Sequence, residues 1–364
     1  MSLFPRLKIC LVAISLGRGG AERSTALLSQ MLVASGHEVQ VVILTDLVQY
    51  PYAGVLVNLG KEKEKSNGIF DKLGRIRRLR IFFKEQRFDW IIDNRTRPSG
   101  FKELLYSYYI YGGQQTVYVV RSAFLPLYLP KNRIIAGLIV KRIKIIVGVS
   151  QAIATKINTQ YQTQKAVAIY NPVESDKASA GEMAVDPYVL FVGRLDEEVK
   201  NLSLLFQAYQ KSVLPGAGIP LKIVGSGPDA ERMKREVERL GIADHVEFHS
   251  FVADTAIYYR NALFTVLTSR YEGFPRVLIE SLAQGTPVVA VDCESGPAEI
   301  VIPDVNGLLV PNHDVGALAE AFNRMVSDEE WYKNLKFRAA DSVSHLSFPE
   351  IAAQWNKILC DEGN

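Results

Sequence analysis

Four charged side chains in the second half of this 364-residue chain stand where they could hold a hydroxyl-bearing anion. Arg194 follows the apolar run Tyr188–Val192, and Lys200 opens the helical pattern six residues later. At the carboxyl end of a strand this pair would offer two phosphates a bidentate fork and a compact point charge. The plainer alternative is a solvated loop in which both cations pair with Asp196–Glu198. Further on, the run Phe264–Leu267 leads into Thr268-Ser269-Arg270-Tyr271-Glu272-Gly273-Phe274-Pro275. A helix starts there, with Pro275 tolerated in its first turn. Glu272 lies just outside that helix and Glu280 within it. A helix N-terminus offers N–H groups to an anion, so a carboxylate beside it makes sense if it binds hydroxyls. Two carboxylates flanking a helix-capped diphosphate suit a ligand with hydroxyls at both ends, as a nucleotide-sugar has. The plainer roles are a helix-dipole contact for Glu272 and a surface helix charge for Glu280.

Two glycine loops invite a different reading. Gly225-Ser226-Gly227-Pro228-Asp229-Ala230 matches a Gly-x-Gly-x-x-Ala dinucleotide fingerprint, and Asp46 closes a strand where a ribose-binding acid would lie. In the first loop, Gly17-Arg18-Gly19-Gly20-Ala21-Glu22, however, an acid replaces the third glycine and would repel a pyrophosphate. The second loop has no strand-terminal acid about 20 residues on. A tight strand-to-helix turn explains Gly225 as well as a ligand does. For Gly19 and Gly20, backbone N–H groups facing a ligand are the favoured reading.

These residues need scaffolding, and the rest of the chain supplies it. Short apolar runs alternate with helix-like segments throughout, which predicts an α/β protein with doubly wound parallel sheets. Strands are expected at Lys8–Ile14, Glu38–Leu44, Trp90–Ile92, Thr116–Val120 and Ile145–Val149. The second half adds Tyr188–Val192, Leu221–Val224, His245–Phe248, Phe264–Leu267 and Pro287–Ala290. The length exceeds what one core usually serves. We expect a domain over 1–172, a linker over 173–187 and a second domain over 188–346, with ligands at the strands' carboxyl ends. The apolar share of 48% and charged share of 22% exclude a disordered or fibrous chain. The net charge of +3 hides an asymmetry. Residues 1–172 carry 25 Lys and Arg against 10 Asp and Glu, and residues 173–364 carry 17 against 29.

Cys10, Cys293 and Cys360 are too scattered for a disulfide framework or a metal knuckle. The opening run Ile9–Leu16 is short and is followed by glycines and Arg18, which predicts a buried strand rather than a leader. Ile134–Val149 is interrupted by Lys141, Arg142 and Lys144 and is not expected to cross a bilayer. The expected location is cytoplasmic, with a peripheral position on the inner face of the plasma membrane. The cationic helical stretch with Arg75, Arg77, Arg78, Arg80 and Lys84, and a second at 131–144, fit an anionic membrane surface or a core-facing stripe with a basic outer face. No nucleic-acid module is present, and the acidic second half speaks against that partner.

In this order and spacing, the motifs resemble those of glycosyltransferase family 4, with its GT-B architecture of two Rossmann-like domains. The resemblance spans nearly the whole chain. It rests on Gly19-Gly20-Ala21-Glu22, Tyr170-Asn171-Pro172, Gly193-Arg194-Leu195 with Lys200-Asn201, Gly225-Ser226-Gly227-Pro228 and Glu272-Gly273-Phe274-Pro275 through Glu280. Gly285-Thr286-Pro287 and Asn306-Gly307-Leu308 complete it. The resemblance implies retaining transfer from a nucleotide-sugar, UDP-linked by preference, to a lipid-linked oligosaccharide or polysaccharide in envelope glycan synthesis, including lipopolysaccharide. It implies no metal and no cofactor. Arg194 and Lys200 would hold the diphosphate. Glu280 would bind ribose, while Glu272 with Gly273 and Phe274 would hold the sugar. Phe251 and Val252 would lie near the base, Gly19 and Gly20 near the phosphates, and Gly225 would belong to the donor site. The last helix, about 347–364, would return to the first domain.

Many relatives carry a His after a first-domain strand, and here Tyr118-Val119-Val120-Arg121 has none. Arg121 and Asp93 are the acceptor-side candidates. Arg121 and Asp292-Cys293-Glu294-Ser295-Gly296-Pro297 resemble the N-acetylgalactosaminyl- and galactosyltransferase subgroup. His37, His245, His249, His313 and His345 fit structural or surface positions. A dinucleotide-dependent oxidoreductase and a non-catalytic sugar-nucleotide-binding subunit are the alternative functions.

Overall fold

Lys8–Ala13 reads KICLVA, a run apolar on both faces, and all but its first residue are buried. Such strands need cover on both sides, which parallel sheets flanked by helices provide. The computed structural model describes residues 4–17, 19–63, 69–173, 186–252 and 254–360. Arg18 and most of the expected linker 173–187 lie outside them.

Thirteen strands occur among the described residues: β1 Lys8–Ala13, β2 Glu38–Ile43, β3 Val55–Asn58, β4 Trp90–Asp93, β5 Gln115–Val120, β6 Ile145–Gly148, β7 Ala166–Ala168, β8 Tyr188–Val192, β9 Leu221–Val224, β10 Val246–His249, β11 Ala262–Leu267, β12 Val288–Asp292 and β13 Gly307–Pro311. They form two parallel sheets, ordered β3-β2-β1-β4-β5-β6-β7 and β10-β9-β8-β11-β12-β13. Each order reverses beside its first strand, between β1 and β4 and between β8 and β11, which are the switch points where such sheets bind ligands.

The expected strands are present within one or two residues at their ends. Three more escaped the pattern. β3 is four residues long and half-exposed at a sheet edge, and β7 has three residues. β13 reads as a motif rather than as an apolar run, because glycine opens it and proline closes it.

The chain divides into two compact units, Met1–Pro172 with Phe348–Asn364, and Val173–Ser347. The helix Phe348–Cys360 is anchored within the first unit. Trp90 Nε1 donates to the Leu359 carbonyl at 2.8 Å, and His37 Nε2 lies 2.9 Å from Asn356 Oδ1. Because Leu7 N donates to His37 Nδ1, the ring proton sits on Nε2 and His37 is a structural tie. In the second unit Val189, Phe191, Leu205, Phe206, Ile223 and Phe264 form the centre of the core.

Candidate active site

At the switch point of the second sheet, β8 ends in Gly193-Arg194 and β11 ends in the Thr268–Pro275 loop. Lys200 is the last residue of the short helix Glu197–Lys200. Its ammonium lies 2.6 Å from Glu272 Oε1, which also accepts a hydrogen bond from Ser269 Oγ at 2.7 Å. Both charged side chains are largely buried, at 18% and 15% exposure. The loop explains the pairing. Arg270 N donates to the Val199 carbonyl at 2.8 Å, Thr268 Oγ1 donates to the Lys200 carbonyl at 2.9 Å, and Arg270 Nη2 donates to Asn201 Oδ1 at 2.7 Å. The β11 loop and the Lys200 turn are therefore built as one piece.

The solvated-loop alternative fails for Lys200, whose partner is Glu272 rather than Asp196–Glu198. It holds loosely for Arg194, whose side chain is 70% exposed with Nε 3.8 Å from Asp196 Oδ2. Glu272 is accordingly an ion-pair partner and more than a helix-dipole contact. Nor is Glu280 a surface charge. It is 13% exposed, with Arg276 Nη2 at 2.9 Å from Oε1 and the Tyr259 hydroxyl donating to Oε2 at 3.2 Å. The pair is an i,i+4 contact on the helix Arg276–Ala283. Burial pushes the Cys293 thiol up to about 12, helped by the negative charge of Glu272 and opposed by Lys200, so this neighbour stays a neutral thiol.

Gly225 has a packing reason of its own. Its φ is +150°, and a Cβ there would stand 1.9 Å from the Gly193 carbonyl oxygen. Gly193 N donates to the Val224 carbonyl at 3.0 Å, so the glycine lets the β9 loop lie against the Arg194 loop. Phe274 is buried. Phe251 is exposed, and Val252 packs beside Tyr188 and Leu190.

In the first unit, Gly19 has φ +135°, and a Cβ there would meet Glu22 Oε2 at 2.5 Å. Burial raises the pKa of Glu22, against its own backbone hydrogen bond and the Arg121 charge. Arg121 follows β5 and is held by two amides, Nη1 to Asn171 Oδ1 at 3.0 Å and Nη2 to Asn94 Oδ1 at 2.8 Å. Ser24 Oγ also donates to Asn171 Oδ1, at 3.1 Å. Arg121, Asn171 and Ser24 line a small hollow with Val119, Ile169 and Trp355.

Asp93 has a different place from the one its position suggests. It is fully buried, paired with Arg95 Nη2 at 2.6 Å and Arg97 Nη1 at 3.4 Å, and accepts from the Tyr111 hydroxyl at 2.7 Å. Burial raises its pKa, but Arg95 and Arg97 outweigh that and hold it below the usual range. Glu103 completes the network through Arg95 and the Tyr118 hydroxyl. Asp93 has no surface to offer an acceptor, and its role in this structure is internal.

Spacing did not reveal Ser269, Arg276, Tyr259, Asn94 or the Arg95–Glu103 network. Arg276 and Glu280 four apart on one helix was the only signal available. Among the described residues, no group of three or more His, Cys, Asp or Glu is placed to hold a metal, and no helix is long and apolar enough to cross a membrane.

Two parallel-sheet units with charged clusters at their switch points define a protein of the GT-B class. Residues 18–177 match the family profile described as Glycosyltransferase Family 4, and residues 173–341 match that described as Glycosyl transferases group 1. Between them the two cover residues 18–341, and the chain belongs to the family 4 glycosyltransferases.

An exopolysaccharide phosphotransferase of Streptomyces coelicolor is 34% identical over 163 residues, 44% of this chain and 17% of that one. The N-acetylgalactosamine-N,N'-diacetylbacillosaminyl-diphospho-undecaprenol 4-alpha-N-acetylgalactosaminyltransferase of Campylobacter jejuni is 25% identical over 372 residues, 97% of this chain and 99% of that one. The matches span 17%, 60% and 47% of the length of three curated relatives. Among solved structures, a Staphylococcus aureus TarM variant in complex with fondaparinux, alpha-GlcNAc-glycerol and UDP has a TM-score of 0.81. It is 12% identical, covering 97% of this chain and all of that one, and shows the fold.

Proposed function

We propose that this protein is a retaining glycosyltransferase. It would move a hexose or N-acetylhexosamine from a UDP-sugar to a lipid-linked oligosaccharide or polysaccharide in envelope glycan synthesis, at the cytoplasmic face of the plasma membrane. The observation that carries this reading is the Lys200–Glu272–Ser269 cluster at the switch point, with Arg194 open beside the same strand end. The Campylobacter relative, named for transfer onto a diphospho-undecaprenol-linked glycan, and the UDP in the TarM complex support the choice of acceptor and donor.

Each member of the ion pair has an exchange available. An arriving diphosphate takes the Lys200 ammonium, and Glu272 is released to accept sugar hydroxyls. Arg194 meets the same diphosphate from its exposed position. As the glycosidic bond breaks, negative charge grows on the departing nucleotide, and these cations stabilise it. Neither carboxylate is assigned as a nucleophile, since Glu272 is engaged by the sugar hydroxyls and Glu280 stays paired with Arg276. A donor phosphate oxygen takes the acceptor's proton, which keeps the incoming and outgoing groups on one face and retains configuration. No metal is needed, because Lys200 and Arg194 supply the positive charge. The Gly225 loop requires no dinucleotide, given its packing against Gly193.

The test is a panel of UDP-sugars with nucleotide release measured with and without lipid-linked acceptors. Acceptor-dependent UDP release is expected from one donor. Tight donor binding with no release under any acceptor would instead show a non-catalytic binding subunit.

A further inference from the structure

One helical segment of the first unit carries an apolar stripe on its solvent side as well as apolar residues in the core. Gly100–Leu104 is α-helical and runs directly into a π-helix, Leu105–Ile110. Its large apolar residues recur at Phe101, Leu104, Leu105, Tyr108 and Tyr109, a helical stripe. That stripe faces outward. Phe101 is 83% exposed, Tyr108 and Tyr109 are exposed, and the two leucines are half-buried. The inward side carries Tyr106 and Ile110 together with polar Glu103 and Ser107, all buried, with Glu103 committed to Arg95.

The neighbouring helix Arg133–Arg142 continues the surface. Ile134 is 77% exposed, and Leu138, one turn on, is exposed too. The Tyr108 hydroxyl donates to the Leu138 carbonyl at 3.1 Å, which joins the two helices at this edge. Arg80 stacks on the Tyr109 ring at 3.9 Å, and Arg142 stands 5.8 Å from the Tyr108 ring. Exposed Lys131, Arg133, Lys141 and Arg142 surround the apolar residues. From residue 94 to residue 172 the sequence holds 11 Lys and Arg and one acid, and that acid is the buried Glu103.

We propose that this face seats the protein on an anionic lipid bilayer, with Phe101 and Ile134 entering the boundary between headgroups and acyl chains. The inference rests on the membrane-surface reading above and assigns it to one surface. Apolar side chains ringed by cations, with aromatic hydroxyls between them, match the layering of a headgroup region. A two-fold contact with a second copy would set Lys131, Arg133, Lys141 and Arg142 against their own counterparts, whereas anionic headgroups neutralise them. The cationic helix Ile69–Gln86 contributes Arg80 at the rim of this face.

The experiment is co-sedimentation of the full chain, without nucleotide, on vesicles of phosphatidylcholine alone or with 30% phosphatidylglycerol. Binding to the anionic vesicles alone is expected, fading as salt is raised. The exposed pairs Phe101→Ser with Ile134→Ser, and Lys141→Glu with Arg142→Glu, should leave melting and UDP binding unchanged. Each pair should lower partitioning at least tenfold, since each surface cation is worth about fivefold and each large apolar side chain leaving water about tenfold. Undiminished binding of both variants, or loss only in Arg77→Glu with Arg78→Glu, overturns this face and leaves the membrane reading standing. Absence of wild-type binding to either vesicle overturns both. A dimer that the Phe101 and Ile134 variant dissolves, with vesicle binding unchanged, makes the face a contact between copies. None of these results bears on the transferase reading, which nucleotide release tests separately.

Discussion

Replacing Lys200 with Met should separate what the ion pair does for the fold from what the cation does for the reaction. The ammonium lies 2.6 Å from Glu272, with both side chains under one-fifth exposed. Removing it leaves Glu272 with Ser269 as its hydrogen-bond partner in a poorly hydrated site. Breaking a fully buried pair costs about 3–5 kcal/mol, and a hydrogen bond to a charged group about 1.5–3 kcal/mol. Residual exposure places this case near the lower range, about 2 kcal/mol. In a unit of this size that lowers Tm by roughly 4–8 °C. Adding Glu272→Gln removes the stranded charge, so the double variant should recover most of the lost Tm. Turnover should not recover. Loss of a donor that stabilises transition-state charge costs about a hundredfold or more, and no second substitution returns it. The assays are thermal unfolding by circular dichroism and acceptor-dependent UDP release on the wild type, both single variants and the double. A double variant with restored turnover would falsify the diphosphate role of Lys200. A Lys200→Met single variant with unchanged Tm would show that the pair does not stabilise the unit.

Arg194 is the complementary case. Its exposed side chain makes one 3.8 Å contact, so Arg194→Ala should change stability by no more than about 0.5 kcal/mol while turnover falls at least about a hundredfold; near-wild-type turnover would remove it from the site. Glu280→Ala should raise the KM for the donor, and an unchanged KM would end its ribose assignment. The Asp93 carboxyl is held low by Arg95 and Arg97, so its contribution to stability is present above about pH 3.9 and is lost as pH falls through the folded value. Asp93→Asn should cost about 3 kcal/mol near neutral pH, the low end for breaking a buried pair, because Arg95 keeps Glu103 and Arg97 keeps its carbonyl acceptors. Denaturant titrations at pH 7 and pH 3.5 should show the gap between variant and wild type narrowing at the lower pH.

Ten of the thirteen strands were legible because a strand buried on both faces must be apolar throughout, and such runs stand out. β3, β7 and β13 were not, because short edge strands carry little of that signal. At the site, the two loops and their charged residues were readable from spacing, but their pairings were not. Spacing offered Lys200 either two phosphates or Asp196–Glu198, and gave no sign of Glu272. The Thr268 and Arg270 hydrogen bonds, across about 70 residues, decided the matter. Asp93 shows the same limit, since a carboxylate ending a strand looks alike whether it meets solvent or two arginines.

Residue order alone determined the parallel α/β class, the glycine and Glu272–Glu280 motifs, and the contrast between a basic first half and an acidic second. Periodicity and composition are local properties, and they survive without knowledge of what touches what. The tertiary structure alone decided that Lys200 pairs with Glu272, that Arg121 is held by Asn94 and Asn171, and that Asp93 is sealed inside. It also decided that the apolar stripe from Phe101 to Tyr109 points outward. A helical stripe announces which residues share a face, whereas the direction of that face is settled by packing. Here Tyr106 and Ile110 pack inward beside the buried Arg95–Glu103 contact, and the stripe from Phe101 to Tyr109 is left to solvent.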